Sequence, residues 1–197
     1  MASDTTDEVP DEDLLAAYAR GETAATRALT LRLVPRVMGY ASRLLGDRAE
    51  AEDVAQEAML RLWRAAAKWR AGEAQVSTWL YRVVANLCTD RLRARQRRRT
   101  EALEAAPEVA DRAAGGDAGL IEADRAAALE AALRELPDRQ RQAVVLRHLE
   151  GLSNAEIAEV MEIGLEAVES LICRGKRTLV ALLAGRRDDL GYEDDEG

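Results

Sequence analysis

The chain has 197 residues, of which 48% are hydrophobic and 32% charged, and a net charge of −8. That composition can bury a core in one medium domain or two small ones. Ala, Leu, Arg and Glu dominate, Phe is absent and only 4 Pro occur, which favours helix and argues against a sheet.

The charge is segregated. Residues 1–13 carry six acids and no base, and 186–197 carry six acids and two bases. Residues 100–124 carry seven acids and one base, whereas 14–99 carry 17 bases and eight acids. A basic module thus lies among acidic tails and an acidic linker, and the sign of the whole chain is no guide to its partners. No apolar run approaches the roughly 20 residues that cross a bilayer, so no membrane insertion is expected. The acidic start lacks the basic and apolar regions of a secretory leader. Cys88 and Cys173 are too few and too far apart for a disulfide framework, so the cytoplasm is the expected compartment.

In chain order, Leu14, Leu15 and Tyr18 mark a first helix. Leu29, Leu33, Val37, Tyr40 and Leu44 repeat at helical spacing through Ala24 to Leu45, as one helix or as two divided at Pro35. Gly46-Asp47 closes that run. Glu50 to Trp69 follows, with Val54, Ala58, Leu62, Ala65 and Trp69 on one face. Its other face carries Asp53, Gln56, Glu57 and Leu60; a polar face is ordinarily just solvated, but the exposed leucine hints at a partner. A loop spans Arg70 to Val76, and Ser77 or Thr78 is expected to cap a helix from Trp79 to Arg97. That helix ends on Arg91, Arg93, Arg95, Arg97, Arg98 and Arg99. A helix C-terminus attracts one or two cations, and six indicate phosphate contact. Trp69, Trp79 and Tyr81 bracket the loop; aromatics beside bases suit stacking on unpaired bases, or simply core.

Pro107, Gly115-Gly116 and seven acids make 100–124 a linker. Beyond it, Arg125 to Leu136 is amphipathic through Leu129, Leu133 and Leu136. Pro137-Asp138 starts a helix over Arg139 to Leu149, and Gly151 stops it. Ser153-Asn154-Ala155-Glu156 matches a capping box. A short helix to Met161, the turn Glu162-Ile163-Gly164 and a helix from Glu166 to Leu183 complete a helix-turn-helix. Its second helix would present Leu165, Glu166, Ala167, Glu169 and Ser170 to base edges, with Arg174, Lys176 and Arg177 near phosphates. The bland alternative is an ordinary helical hairpin. Enzyme signatures are missing: His148 is the sole histidine, Cys88, Cys173 and His148 lack zinc-ligand spacing, and no phosphate-binding glycine loop occurs. No metal, cofactor or small-molecule substrate is expected.

Several motifs together resemble the extracytoplasmic-function sigma factors of bacteria. Asp47 to Arg64 (DRAEAEDVAQEAMLRLWR) looks like their region 2.2, Ser77 to Arg98 like regions 2.3 and 2.4, and Glu135 to Met161 with the next helix like region 4. The resemblance covers about 165 residues in order. It implies core RNA polymerase contacts at Asp53, Gln56, Glu57, Leu60 and Arg61. It implies downstream promoter contacts at Arg70, Gln75, Trp79, Arg82, Asn86, Arg91, Arg93 and Arg95, with a flipped-out base held by the 70–76 loop. Upstream promoter contacts fall to Glu166, Ala167, Glu169, Ser170, Arg174, Lys176 and Arg177. An anti-sigma factor is an implied partner.

The expected architecture is all-α. It comprises an acidic tail (1–13), region 2 (14–99), a flexible acidic linker (100–124), a four-helix region 4 with the helix-turn-helix (125–185) and a second tail (186–197). The sequence departs from the family where a Gly-x-Pro turn is usual. It departs again at Glu169 and Leu171, where bases are usual, and at Met59 and Val76, where Phe is common; the family's promoter sequence is therefore not inherited. Two rivals remain: a stand-alone helix-turn-helix regulator with a sensor domain, and a helical adaptor whose arginines meet an acidic protein.

Overall fold

A computed structural model describes residues 9–70, 72, 75–105 and 120–184, with 102–105 and 120–124 described by their backbone alone. Most of both acidic tails, the interior of the expected linker (106–119) and three residues of the 70–76 loop lie outside the described residues. Among the described residues there are eight α-helices and no strand.

α1 (Asp11–Ala19) follows Pro10 and opens on Asp11, Glu12 and Asp13, three acids that suit the positive end of the helix dipole. The expected tail boundary at residue 13 therefore falls inside a helix. Asp11 Oδ1 accepts from Arg32 Nη1 at 2.5 Å, which fastens α1 to α2. The Tyr18 and Trp63 rings, 4.5 Å apart, close the other end.

α2 (Thr23–Leu45) is a single helix that carries Pro35 in its interior. Its buried stripe is Leu29, Leu33, Val37, Tyr40 and Leu44, as the periodicity predicts. Gly46 ends it at φ +65°, in the left-handed region that favours glycine. Asp47 then caps α3 (Arg48–Ala66) by accepting from the Glu50 N–H at 3.0 Å. Ala51, Val54, Ala55, Ala58, Met59 and Leu62 of α3 pack inward. α3 stops three residues before the predicted Trp69.

α4 (Val76–Ala105) differs from expectation at both ends. Val76 is not a loop residue but opens the helix and is buried, and the Trp79 N–H donates to the Gln75 carbonyl. Ser77 and Thr78 therefore sit inside the first turn, and neither caps it. The buried Thr78 hydroxyl has no hydrogen-bond partner. The far end runs past Arg97 into the segment expected to be linker, because Thr100 to Ala105 contain nothing that stops a helix.

α5 (Leu120–Glu135) likewise begins inside the expected linker. α6 (Asp138–His148) follows Pro137, α7 (Asn154–Met161) starts at the predicted capping box, and α8 (Leu165–Ala184) is the last described helix. In the box, Ser153 Oγ accepts from the Glu156 N–H at 3.3 Å and the Glu156 carboxylate accepts from the Ser153 N–H at 2.7 Å. The left-handed residue of the following turn is Glu162 (φ +53°), not Gly164. α6 and α8 cross at Gly175, where a Cβ would stand 2.6 Å from Val144 Cγ2 and 3.3 Å from the Gln140 carbonyl.

α1–α4 form one helical module and α5–α8 a second. The two meet face to face, α5 and α6 against α2 and α7 against α4. One buried apolar cluster runs through both.

Candidate nucleic-acid and protein interfaces

The helix phase of α3 sorts its residues. Asp53, Gln56, Glu57, Leu60 and Arg61 follow an i, i+3, i+4, i+7, i+8 pattern on the outer face. Leu60 is 52% exposed, while Glu57 and Arg61 pair at 2.5 Å beside it. Next to them lies a groove of about 590 Å³ lined by Val34, Met38, Ala55, Met59, Leu60 and Trp63, with the Arg48–Glu52 ion pair on its rim. An apolar groove with a charged rim is a protein-docking surface in character. The sequence indicated Leu60 but not the groove, because part of its lining comes from α2.

On α4, about 100° per residue puts Trp79, Arg82, Asn86, Arg93 and Arg97 within one narrow stripe. Arg82 and Trp79 are half-buried, and Asn86, Arg93 and Arg97 are exposed. Trp79 leans on Trp69, the rings 5.7 Å apart and nearly perpendicular, so Trp79 has both a core contact and an open edge. Arg70 and exposed Gln75 flank the loop that leads into this stripe. Arg91 is half-buried and off the stripe.

Arg95, expected at the downstream promoter, falls off this stripe. It lies on the opposite side of α4, where it donates to Glu50 at 3.1 Å and to the Leu45 carbonyl at 2.8 Å, and approaches Asp47 at 3.7 Å. It ties α4 to the α2–α3 corner, apart from the other stripe residues.

On α8, Glu166, Ala167, Glu169 and Ser170 are all exposed at the start of the helix, as are Arg174, Lys176 and Arg177 further along. Val168 and Leu179 are buried beneath, and Ile172 and Leu183 pack against the core. Glu166, Glu169, Ser170 and Arg177 share one stripe with exposed Cys173, a residue that belongs to no motif and whose position only the helix phase reveals. Cys88, by contrast, is buried, and burial pushes its thiol up to about 12. His148 is exposed, and its imidazole is held below the ordinary histidine value by partial desolvation and then by Lys176 and Arg147. Among the described residues no group of His, Cys, Asp or Glu side chains is arranged to hold a metal, and no helix is long and apolar enough to cross a membrane.

Residues 29–98 match the Sigma-70 region 2 family and residues 126–179 the Sigma-70 region 4 family. The SigM ECF RNA polymerase sigma factor of Mycobacterium tuberculosis is 37% identical over 174 residues, which cover 88% of this chain and 84% of that protein. The chain belongs to the extracytoplasmic-function sigma factors. The RNA polymerase sigma-H factor of Pseudomonas aeruginosa is 32% identical over 178 residues, 86% of this chain and 91% of the relative. The ECF sigma-E factor of Escherichia coli is 30% identical over 181 residues, 88% and 94%. Two solved structures share the fold. The sigma factor RpoE of Bartonella quintana, in complex with the anti-sigma factor NepR, has a TM-score of 0.64 at 22% identity, covering 81% of this chain and 96% of that one. CnrH, in complex with the cytosolic domain of CnrY, has a TM-score of 0.63 at 25% identity, covering 89% and 97%. The α3 groove and the α4 stripe thus fall in sigma region 2, and α8 in region 4.

Proposed function

We propose that this sigma factor directs core RNA polymerase to a particular set of promoters by dividing three tasks among its three surfaces. The observation that carries this reading is the presence, on one chain, of a basic and aromatic stripe on α4 and a separate capped helix-turn-helix in α7–α8. Two nucleic-acid surfaces on two modules suit a protein that grips two promoter elements. Residues 14–99 and 125–185 serve as the two functional units, and the chain between them sets the spacing.

Asp53, Gln56, Glu57, Leu60 and Arg61, with the groove beside them, dock on core polymerase. Trp79, Arg82, Asn86 and Arg93 face the downstream element, with Arg70 and Gln75 at its loop and Arg91 near its phosphates. Stacking and hydrogen bonding to unpaired bases there stabilise the opened strand, so binding drives opening and no bond is made or broken by the protein. The protein is therefore not an enzyme and needs no cofactor. Glu166, Ala167, Glu169 and Ser170 read base edges upstream, where a glutamate can accept from cytosine N4. Arg174, Lys176 and Arg177 hold phosphates. The acidic tails and linker weaken the binding of DNA by the free protein. An anti-sigma partner and a cytoplasmic location follow the same reading; the fold-sharing RpoE is itself known in complex with NepR.

The test is multi-round transcription by purified sigma-free core polymerase on a library of promoter fragments, with and without this protein. Sequence-selective transcripts that depend on the protein are expected. Duplex binding by the protein alone, with no transcripts, would instead establish a stand-alone regulator.

A further inference from the structure

The turn between α6 and α7 sends one carboxylate across the boundary between the modules. The Glu150 side chain is only 6% exposed. Its Oε2 accepts from Tyr81 Oη on α4 at 2.5 Å, and its Oε1 accepts from Arg43 Nη1 on α2 at 3.3 Å. Tyr81 is itself set by region 2: its ring meets the Tyr40 ring edge-on at 5.3 Å, with the Arg36 guanidinium 5.5 Å from its centroid. Both side chains that donate to the Glu150 carboxylate thus come from the other module.

The contact is flanked by two open clefts. On one side lies a cavity of about 390 Å³ between α2 and α5, lined by Met38, Arg43, Gly46, Leu133 and Arg134. On the other lies one of about 650 Å³ between α4 and α6, lined by Leu44, Cys88, Leu92, Arg93, Arg139 and Gln142. The buried amide oxygen of Asn154 on α7 has no hydrogen-bond partner, and the buried Tyr40 hydroxyl faces Gln142 of α6 without a hydrogen bond of good geometry. A permanent interface is close-packed and largely apolar. A buried carboxylate adds little net stability, because its desolvation offsets its pairing. It does specify one arrangement, and removing one partner strongly disfavours that arrangement. Open clefts at the rims and a charged centre, beside the apolar cluster that the two modules share, describe a joint that holds one orientation and is weakened when a partner of the carboxylate is removed.

We infer that Glu150, clasped by Tyr81 and Arg43, is an intramolecular latch that keeps regions 2 and 4 closed on each other in the free protein and must release for both to engage promoter DNA. The consequence rests on the function proposed above; the latch itself does not. The closed form lays α7 along α4. A helix-turn-helix sets its first helix across the duplex backbone, so the α7 face that packs on α4 is withheld from upstream DNA, while the α4 stripe and the start of α8 stay open and the closed form fixes their separation. Release of a two-state contact by a partner that binds only the open form is a population shift, and the fraction already open scales the partner's apparent affinity.

The two native cysteines report the state of the latch without DNA or polymerase. Cys88 is buried and lines the cavity between α4 and α6, whereas Cys173 on α8 is exposed. Pulsed alkylation of the full chain, read by mass spectrometry, gives each rate separately. In the native protein Cys173 should react promptly and Cys88 slowly, as their exposure dictates. Glu150→Ala and Tyr81→Phe should each raise the Cys88 rate at least about tenfold, with the Cys173 rate unchanged, the far-UV circular dichroism preserved and a larger radius of gyration in X-ray scattering. Tyr81→Phe keeps the ring and removes only the hydroxyl, so it reports on the latch even if Glu150→Ala unfolds. Unchanged Cys88 rates and scattering in folded variants would overturn the latch and leave the sigma-factor reading intact. Faster Cys88 alkylation in a protein that gives no transcripts would do the reverse.

Discussion

Gly175 lets α8 approach α6, and its replacement by alanine tests how firmly the recognition helix is seated. The added Cβ would stand 2.6 Å from Val144 Cγ2 and 3.3 Å from the backbone oxygen of Gln140. Two carbons in contact prefer about 3.5–4.0 Å, so the helices must part by roughly 1 Å or Val144 must leave its rotamer. Val144 is buried within the α6 core stretch Ala143–Leu146 and has little room to turn. Overpacking costs about 1–3 kcal/mol, and an approach this short against a buried side chain belongs to the upper part, about 2–3 kcal/mol. The better helix propensity of alanine returns about 1 kcal/mol at most. A net destabilisation of about 1–2 kcal/mol corresponds to a fall in Tm of roughly 2–8 °C for a chain of this size. Differential scanning calorimetry of the full-length protein would read it, with Gly175→Val as a steeper second point. A Tm that stays constant or rises in Gly175→Ala would refute the close crossing and with it the placement of α8. The same variant should weaken upstream-element binding more than downstream-element binding, since α4 is untouched.

Leu60→Asp should leave the fold intact, because Leu60 is 52% exposed, yet lower the affinity for core polymerase at least about tenfold in a fluorescence titration. Replacing Arg93 and Arg97 together by glutamine should reduce the salt slope of holoenzyme–promoter binding by about two, near one for each phosphate that is no longer neutralised. Arg95→Gln should instead lower Tm and leave that slope alone, because Arg95 is bonded to Glu50 and Leu45. His148 has a folded-state pKa below its ordinary value, through partial desolvation and then Lys176 and Arg147. The unfolded chain therefore binds the proton first as pH falls, so the stabilising contribution is present above about pH 6.5 and is lost through the folded pKa. Tm measured from pH 7.5 to 5 should fall less steeply in His148→Gln than in the native protein.

The features legible in the sequence are those built from neighbours along the chain. The Ser153–Glu156 capping box, the stripe from Leu29 to Leu44 and the exposed Leu60 depend on interactions three or four residues apart, so residue type and spacing specify them. The order and type of the helices follow from the same local rules, and the family resemblance adds what each region is for. Sequence and structure part where local signals are ambiguous. Ser77 and Thr78 are good caps by type, but Val76 is worth more buried than exposed, and the helix starts earlier to bury it. The six arginines at the end of α4 look alike in sequence. Only the rotation of α4 against α3 turns Arg95 onto Glu50 and Arg93 away from it. Glu150 reads as a solvated acid after a helix, yet its partners lie 69 and 107 residues away, on Tyr81 and Arg43. No periodicity encodes that contact. It exists because two apolar modules, each complete as a set of helices, pack against one another and carry one carboxylate between them out of water.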